Sequence, residues 1–315
     1  MISFDDLTFH LDLSKKIYVG YSGGPDSSAL LHLLHINNIS NVEAIHINHN
    51  LSDNSLKWEE HCRKTTNKLG IKCHVDSIDI KLDGDGLESA ARKARYKIFA
   101  KYLKKDEQIV LGHHSDDVAE TFLLRLFRGT GVDGLESITV KRSVGDGYLV
   151  RPLINLTKKD ILTYLEDNEI SYINDESNYE VDQDRNYIRN TIIPSIEKRW
   201  NKASSRISNS SNFIKIKNQS YEILFKEKFH HLIGKKIKVK DLKEIQESFV
   251  VDIIRFSIKE ENIAMPSKKV IEEIIKTFLH SSPGPKSEVS WSRADKEESG
   301  GKISYRDKCM CIAKK

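Results

Sequence analysis

The hexapeptide Ser22-Gly23-Gly24-Pro25-Asp26-Ser27 joins two apolar runs near the start of the chain. Residues 17–21 alternate as a strand does, and residues 29–34 are typical of a buried helix. Adjacent glycines let main-chain atoms approach a ligand, and free N–H groups at a helix start attract phosphate. The G-x-x-x-x-G-K-[ST] spacing of the common P-loop is missing. The hexapeptide therefore predicts a phosphate-binding turn of another kind, although a plain glycine turn capped by Asp26 or Ser27 would use the same residues.

Short apolar runs alternate with helical patterns over the first two thirds of the chain. Such alternation favours a doubly wound parallel sheet with helices on both faces, whose ligands bind at the carboxyl ends of the strands. The predicted strands are 16–21, 42–48, 72–80, 108–112 and 148–153, and the predicted helices are 27–36, 55–69, 88–103, 116–128 and 157–168.

Length and composition indicate a globular protein of two domains. A chain of 315 residues is long for one domain. We expect a catalytic domain over 1–200 and a smaller, mostly helical domain over 201–315 that ends in a short β hairpin. No run reaches the roughly 20 apolar residues of a membrane span. The N-terminus lacks the pattern of a signal peptide, and the four cysteines form no C-x-x-C pair, so we expect a cytoplasmic protein with reduced thiols.

A second polar cluster follows the predicted strand 108–112. In Gly112-His113-His114-Ser115-Asp116-Asp117-Val118-Ala119-Glu120, the spacing places Asp116 and Asp117 on one helix face with Glu120, near the positive N-terminal end. Two carboxylates and two histidines there can bind Mg²⁺, a cationic substrate, or both. A helix cap beside two surface histidines would account for the same residues.

The last third of the chain is predicted to be helical at 212–230, 241–259 and 267–279, with strands at 287–293 and 302–313. The polar run 201–211 fits either a linker or part of a long helix. Net charge is only +4, but lysines crowd the region after residue 212. They suggest contact with RNA through Lys228 and Lys236, or a solvated surface.

Several motifs in one order resemble the tRNA(Ile)-lysidine synthetase family, which is part of the PP-loop ATP pyrophosphatase superfamily. The resemblance covers roughly residues 15–195, and the helical domain resembles the family more weakly. The motifs are S-G-G-P-D-S (22–27), H-I-N-H-N-L (46–51), A-R-K-A-R-Y (91–96), G-H-H-S-D-D-V-A-E-T (112–121), R-G-T-G-V-D-G-L (128–135), R-P-L (151–153) and D-E-S-N with R-N-Y-I-R-N-T-I-I-P (175–194).

The resemblance implies an adenine-nucleotide alpha-hydrolase-like fold and an ATP-dependent ligase. Such an enzyme joins free L-lysine to the wobble cytidine of an isoleucine tRNA with a CAU anticodon. The cytidine is first adenylated, and AMP and pyrophosphate are released. ATP is the implied substrate and Mg²⁺ the implied metal. The resemblance implies no contact with a membrane and is compatible with a homodimer.

Roles follow for residues within these motifs. Asp117 and Glu120 suit the α-amino group of lysine, and Arg92 suits its carboxylate. His113 and His114 are candidates for the base that takes a proton from the reacting amine. The remaining assignments are ATP binding by Ser22, Gly23, Gly24, Pro25, Asp26, Ser27, His46 and Asn48, Mg²⁺ binding by Asp26 and Asp116, and tRNA contact by Arg185 and Arg189.

One departure and three alternatives stay open. Ser52 stands where the family usually has arginine, which puts in doubt any contact made by that side chain. A tRNA thiolase would share the fold, but Cys62 and Cys73 lack the spacing of its cysteines. A small-molecule synthetase using the same loop would need an ammonia source. A non-catalytic tRNA-binding protein would have no use for Asp26, Asp117 and Glu120.

Overall fold

The computed structural model describes residues 4–50, 52, 54–78, 87–174, 184–292 and 299–315. These residues form two compact units whose main division lies between Asn218 and Gln219, inside a long helix. None of the described helices is long and apolar enough to cross a bilayer.

The first unit contains a six-stranded sheet in the order β3-β2-β1-β4-β6-β5, in which only β5 runs antiparallel. The strands are β1 (Ile17–Gly20), β2 (Val42–Asn48), β3 (Lys72–Ser77), β4 (Gln108–Val110), β5 (Lys141–Val144) and β6 (Gly147–Val150). The helices are α1 (Phe4–Thr8), α2 (Pro25–Ile36), α3 (Ser55–Lys68), α4 (Leu87–Tyr102), α5 (Ser115–Phe127), α6 (Lys158–Asp167), α7 (Asp184–Tyr187), α8 (Ile193–Glu197) and α9 (Ala203–Phe229).

Successive residues of β1 enter two different cores, as the period of two in a strand requires. Ile17 and Val19 join the core on the face covered by α2 and α6, while Tyr18 joins the core on the face covered by α4. The predicted doubly wound α/β fold is therefore confirmed. Because β1 pairs with both β2 and β4, the strand order reverses at β1 and β4, which is where ligands bind in such sheets.

No pattern in the sequence predicts β5, because this edge strand is polar and largely exposed. Between α7 and α8 the chain forms a π-helical turn, Ile188–Ile192, which ends two residues before Pro194. The turn accommodates a proline that has no N–H to continue an α-helical ladder. The polar run 201–211 is not a linker, since α9 begins at Ala203.

The second unit, residues 219–315, is confirmed as mostly helical with a separate antiparallel sheet in the order β7-β10-β9-β8. Its core is formed by side chains such as Leu242, Ile254 and Phe278. The predicted strand 302–313 is instead a hairpin, because Asp307 and Lys308 both adopt positive φ and reverse the chain. The elements are α10 (Val239–Lys243), α11 (Glu247–Glu260), α12 (Lys268–Ile275), β7 (Lys236–Lys238), β8 (Glu288–Trp291), β9 (Gly301–Arg306) and β10 (Cys309–Lys314).

The turn from β1 into α2 requires glycine at position 23. Gly23 has φ +82°, and a Cβ there would lie 2.5 Å from Ile173 Cδ1 and 3.0 Å from Cys62 Sγ. Its carbonyl oxygen accepts hydrogen bonds from Ile173 N and Ser28 Oγ, at 2.8 and 3.2 Å. The loop is therefore held in one conformation from both sides.

We predict that Gly23→Ala lowers the free energy of unfolding by about 2–3 kcal/mol, since it combines the positive-φ penalty with crowding. Gly70→Ala is the matched control, because Gly70 has φ +66° with open space around its Cβ position. The control should cost about 1 kcal/mol. Urea denaturation measures both, and equal losses would show that Ile173 and Cys62 yield without cost.

Candidate active site

Hydrogen bonds made by its own serines hold the predicted phosphate loop, residues 22–27, in shape. Ser27 Oγ lies 3.1 Å from Gly24 O and 3.2 Å from Ser22 Oγ, and Gly24 N donates to Ser22 Oγ over 3.3 Å. Gly24 is the N-cap of α2, and Pro25 fills the first helical turn, where no N–H is needed. The loop thus presents the start of a helix at the reversal point of the sheet, as phosphate binding requires.

Two buried side chains at the end of β2, the strand next to β1, lie beside the loop. His46 is buried at the end of β2 and donates from Nδ1 to the Tyr21 carbonyl over 2.9 Å. Burial lowers the pKa of His46, so the ring is neutral and its Nε2 is left as an acceptor. Asn48 is also buried, and its amide donates to Glu59 of α3 over 3.4 Å. Ser52 stabilises the turn before α3 by accepting from Ser55 N.

Asp26 and Asp116 share two positively charged neighbours. Lys158 Nζ lies 2.5 Å from Asp26 Oδ1, while the main-chain N–H of Lys158 donates to Asp116 Oδ2 over 2.8 Å. His114 Nε2 is 3.6 Å from Asp26, and its Nδ1 is 3.4 Å from Asp116. The close packing depends on Gly112, since a Cβ there would lie 2.7 Å from main-chain atoms of Asp26.

Asp117 and Glu120, which the sequence assigns to lysine, are paired with the two arginines assigned to tRNA. Arg189 Nε and Nη2 donate to the two oxygens of Glu120 over 2.6 and 2.8 Å, and Arg185 Nε donates to Glu120 over 2.9 Å. Arg185 and Arg189 also reach Asp117 Oδ1, at 3.1 and 3.3 Å. Burial would raise the pKa of Asp117, but His114 and the guanidinium of Arg185 hold it well below its usual range.

The surroundings of His114 favour its cationic form. Burial alone would lower its pKa, but Asp117, Asp116 and Asp26 surround the ring and raise it above the ordinary value. An imidazole that already carries both protons cannot accept another. The geometry therefore argues against His114 as the general base expected from the sequence, and gives it the role of holding three carboxylates together.

His113, in contrast, is an uncharged imidazole. Arg151 Nε donates to His113 Nδ1 over 3.3 Å. Burial lowers the pKa of His113 to about 3, and the charge of Arg151 acts in the same direction. The neutral ring then has its proton on Nε2 and donates there, so His113 is also a poor fit for a general base.

A group of arginines lies beside His113 on the other side of the site. Arg92 and Arg142 approach the ring of Tyr96 with Cζ at 5.0 and 4.3 Å from its centroid. Arg151 is 3% exposed and is held by the Thr139 carbonyl, and burial together with Arg142 and Arg92 lowers its pKa to about 10. No carboxylate pairs with Arg92, Arg142 or Arg151 among the residues that the structure describes.

We call Arg92, Tyr96, Arg142 and Arg151 the arginine group. Burial would raise the pKa of Tyr96, but the three guanidinium groups lower it overall. Three like charges around one ring repel one another unless an anion joins them. Sequence reasoning found Arg92 but gave no role to Tyr96 and Arg151, although both stand in quoted motifs. No motif in the sequence points to Arg142 or Lys158, since their roles come from tertiary contacts alone.

Cysteine does not contribute to the site. Cys62 is fully buried on α3, where burial raises the pKa of its thiol, and burial likewise raises the pKa of Cys73. A thiol of raised pKa is a weak nucleophile at neutral pH. Within the described ranges, no group of three or more His, Cys, Asp or Glu side chains is arranged to hold a metal ion.

We predict that Glu120→Gln lowers the free energy of unfolding by about 3 kcal/mol, because it leaves two guanidinium groups around a neutral, buried amide. The Glu120 side chain is only 2% exposed. Asp184→Asn is the control, since its ion pair with Arg128 is 62% and 74% exposed and should cost less than about 0.5 kcal/mol. Urea denaturation of the two variants should separate them, and similar losses would contradict the importance of the buried pair.

Comparison with known proteins finds relatives over most of the chain. The chain is 33% identical over 283 residues to the tRNA(Ile)-lysidine synthase of Legionella pneumophila (strain Lens), covering 89% of this chain and 65% of that protein. It is 36% identical to the tRNA(Ile)-lysidine synthase of Buchnera aphidicola subsp. Acyrthosiphon pisum, covering 85% and 62%. The chain thus spans just under two thirds of the length of these relatives.

Among solved structures, the chain resembles the U34-tRNA thiolase of Methanococcus maripaludis in fold. The TM-score is 0.54 with 19% identity, covering 67% of this chain and 76% of that one. Residues 4–196 match the model of the PP-loop domain, the region that contains β1 to β6 and every charged pair described above. The chain therefore belongs to the PP-loop domain family.

Proposed function

We propose that this chain joins free L-lysine to the wobble cytidine of an isoleucine tRNA with a CAU anticodon, in two steps that consume ATP. The observation that carries the proposal is the pairing of opposite charges around His113. Asp117 on one hand, and Arg92 and Arg151 on the other, act on the ring of His113, and the phosphate loop meets the carboxylates where His114 lies between Asp26 and Asp117. The names of the relatives support the same activity.

In the first step ATP adenylates the cytosine oxygen, which is otherwise a poor leaving group, and pyrophosphate departs. Ser22, Gly23, Gly24 and Ser27 would cradle pyrophosphate at the start of α2. His46 and Asn48, at the end of the neighbouring strand, would lie against the adenosine. Adenylation makes the ring carbon open to attack by an amine.

Mg²⁺ would arrive with ATP and screen the charge of its phosphates. Asp26 and Asp116 fit such an ion, because both are carboxylates held at the loop on either nitrogen of His114. Carboxylate oxygens and phosphates are the ligands that Mg²⁺ prefers. Asp26 is the better candidate, since Asp116 already accepts a main-chain N–H.

In the second step the side-chain amine of lysine attacks the ring carbon, the bond to AMP breaks, and the amine proton leaves with solvent or with AMP. A free zwitterionic amino acid carries both charges that the site can bind. Its α-ammonium group would bind Asp117 and Glu120. It would displace a guanidinium N–H of Arg185 or Arg189 from one of the carboxylate oxygens. Its carboxylate would bind Arg92 in the arginine group. The reacting amine then extends toward the phosphate loop.

RNA contacts are proposed for Lys228 and Lys236 in the second unit and for Arg185 and Arg189 in the first. Lys228 is exposed and has no carboxylate partner among the described residues, which favours it. Lys236 is already paired with Asp307 at 3.0 Å, although both side chains are more than half exposed. A homodimer is not required, since both charged sides of the site come from one chain.

The test is to incubate the protein with ATP, Mg²⁺, labelled lysine and the tRNA transcript, and then to identify nucleosides by mass spectrometry. Lysine joined to cytidine, with one AMP released per lysine, is the expected result. Sulfur incorporation with a sulfur donor would favour a thiolase instead. Binding of tRNA without any change in the nucleosides would favour a non-catalytic role.

A substrate series tests the proposed place of the carboxylate. Arg92→Gln should raise the KM for lysine roughly 10-fold and change the KM for ATP less than 2-fold, because a charged hydrogen bond is lost. Cadaverine, which is lysine without its carboxylate, should react poorly and equally with both proteins. The control is Lys141→Gln, whose side chain lies over Tyr148 instead, 4.4 Å from the ring centroid. An equal penalty on lysine and cadaverine, or a raised KM for tRNA alone, would contradict this assignment.

A further inference from the structure

The phosphate loop carries no lysine of its own. Residues 22–27 offer N–H groups, two serine hydroxyls and the carboxylate of Asp26. In the common P-loop a lysine in the loop reaches the terminal phosphates. Here, among the described residues, the ammonium group that contacts the loop belongs to Lys158, which starts α6 and lies 2.5 Å from Asp26.

We propose that Lys158 is the phosphate-contacting lysine of this site. Its ammonium pairs with Asp26 while the loop is empty, and pairs with the β- and γ-phosphates of ATP, or with pyrophosphate, when these are bound. The inference deepens the ATP half of the proposed function and rests on it. It assigns a binding role to a residue outside the loop that recognises the nucleotide.

The main chain of Lys158 is fixed relative to the loop. Thr157 and Asp160 cap each other at the start of α6, with Thr157 N donating to Asp160 over 2.8 Å and Asp160 N donating to Thr157 Oγ1 over 3.1 Å. Lys158 N donates to Asp116. Helix α6 also packs on α2, where Tyr164 OH is 2.7 Å from His32 Nδ1. The lysine therefore starts from a defined position beside the loop.

The side chain of Lys158, in contrast, is able to move. It is 35% exposed, and Asp26 is 31% exposed. An ion pair that water reaches to this degree is weak, so a phosphate of higher charge can take the ammonium away from Asp26. The four-carbon stem allows that change without movement of α6. Release of Lys158 also frees Asp26 for the cation that accompanies ATP.

Two roles for Lys158 predict different signs in the absence of Mg²⁺. If Lys158 contacts phosphate, Lys158→Met weakens pyrophosphate binding. Asp26→Asn then strengthens it, because the variant loses a repelling charge and the competitor for the ammonium. If Lys158 only holds the loop through Asp26, both substitutions break the same contact and both weaken binding.

Calorimetric titration of the full chain with inorganic pyrophosphate in EDTA distinguishes these roles. We expect Lys158→Met to bind about 10-fold more weakly or worse, Lys158→Arg to stay within about 3-fold, and Asp26→Asn to bind no more weakly than the unaltered protein. Lys159→Met is the matched control, since Lys159 is the next residue of α6 and is exposed. It should leave the affinity unchanged.

The proposal is overturned if Lys158→Met binds normally, if Asp26→Asn weakens binding as Lys158→Met does, or if the unaltered chain binds no pyrophosphate. Thermal unfolding checks that each variant is folded, which the exposure of the pair leads us to expect. The titration contains neither RNA nor lysine. A chain that makes no lysidine can therefore still show the expected pyrophosphate binding. Conversely, a failed pyrophosphate titration does not test lysidine formation, which the nucleoside analysis measures.

Discussion

Four carboxylates meet four cations where the strand order of the sheet reverses. An unpaired charge at the depth of Asp117 or Glu120 would cost several kcal/mol, so these two side chains depend on partners from other elements. Helix α7 has only four residues and could not persist alone, yet Arg185 ties it to α5 through Asp117 and Glu120. The carboxylates are Asp26, Asp116, Asp117 and Glu120, and the cations are His114, Lys158, Arg185 and Arg189.

The balance of charge differs across the site. The carboxylate side is neutralised by the protein itself, whereas the arginine group beside His113 keeps its positive charge among the described residues. A cationic ligand on the first side must therefore replace a protein cation, while an anionic ligand on the second side meets a site already prepared. This asymmetry favours anionic groups as the tighter contacts, and a zwitterion gains from both sides only when its two charges are correctly spaced.

The sequence was sufficient for those features that depend on local pattern. Alternating apolar runs predicted β1 to β4 and β6, and the loop before α2 predicted a phosphate site. It was insufficient where a role depends on a partner far along the chain. Nothing local shows that Arg185, which the resemblance assigns to RNA, also reaches Glu120 of α5. His113 and His114 are adjacent and chemically equal in the sequence, but different neighbours make one neutral and the other a cation.

These charge states also bear on how lysine can become a nucleophile. Its side-chain amine has a pKa near 10.4, and neither His113 nor His114 is suited to take the proton. The amine must therefore lose its proton through burial beside the positive charges of the site, which disfavour the ammonium form. The carboxylates, being already paired, oppose this effect weakly, so the arrangement that binds the amino acid also prepares it to react.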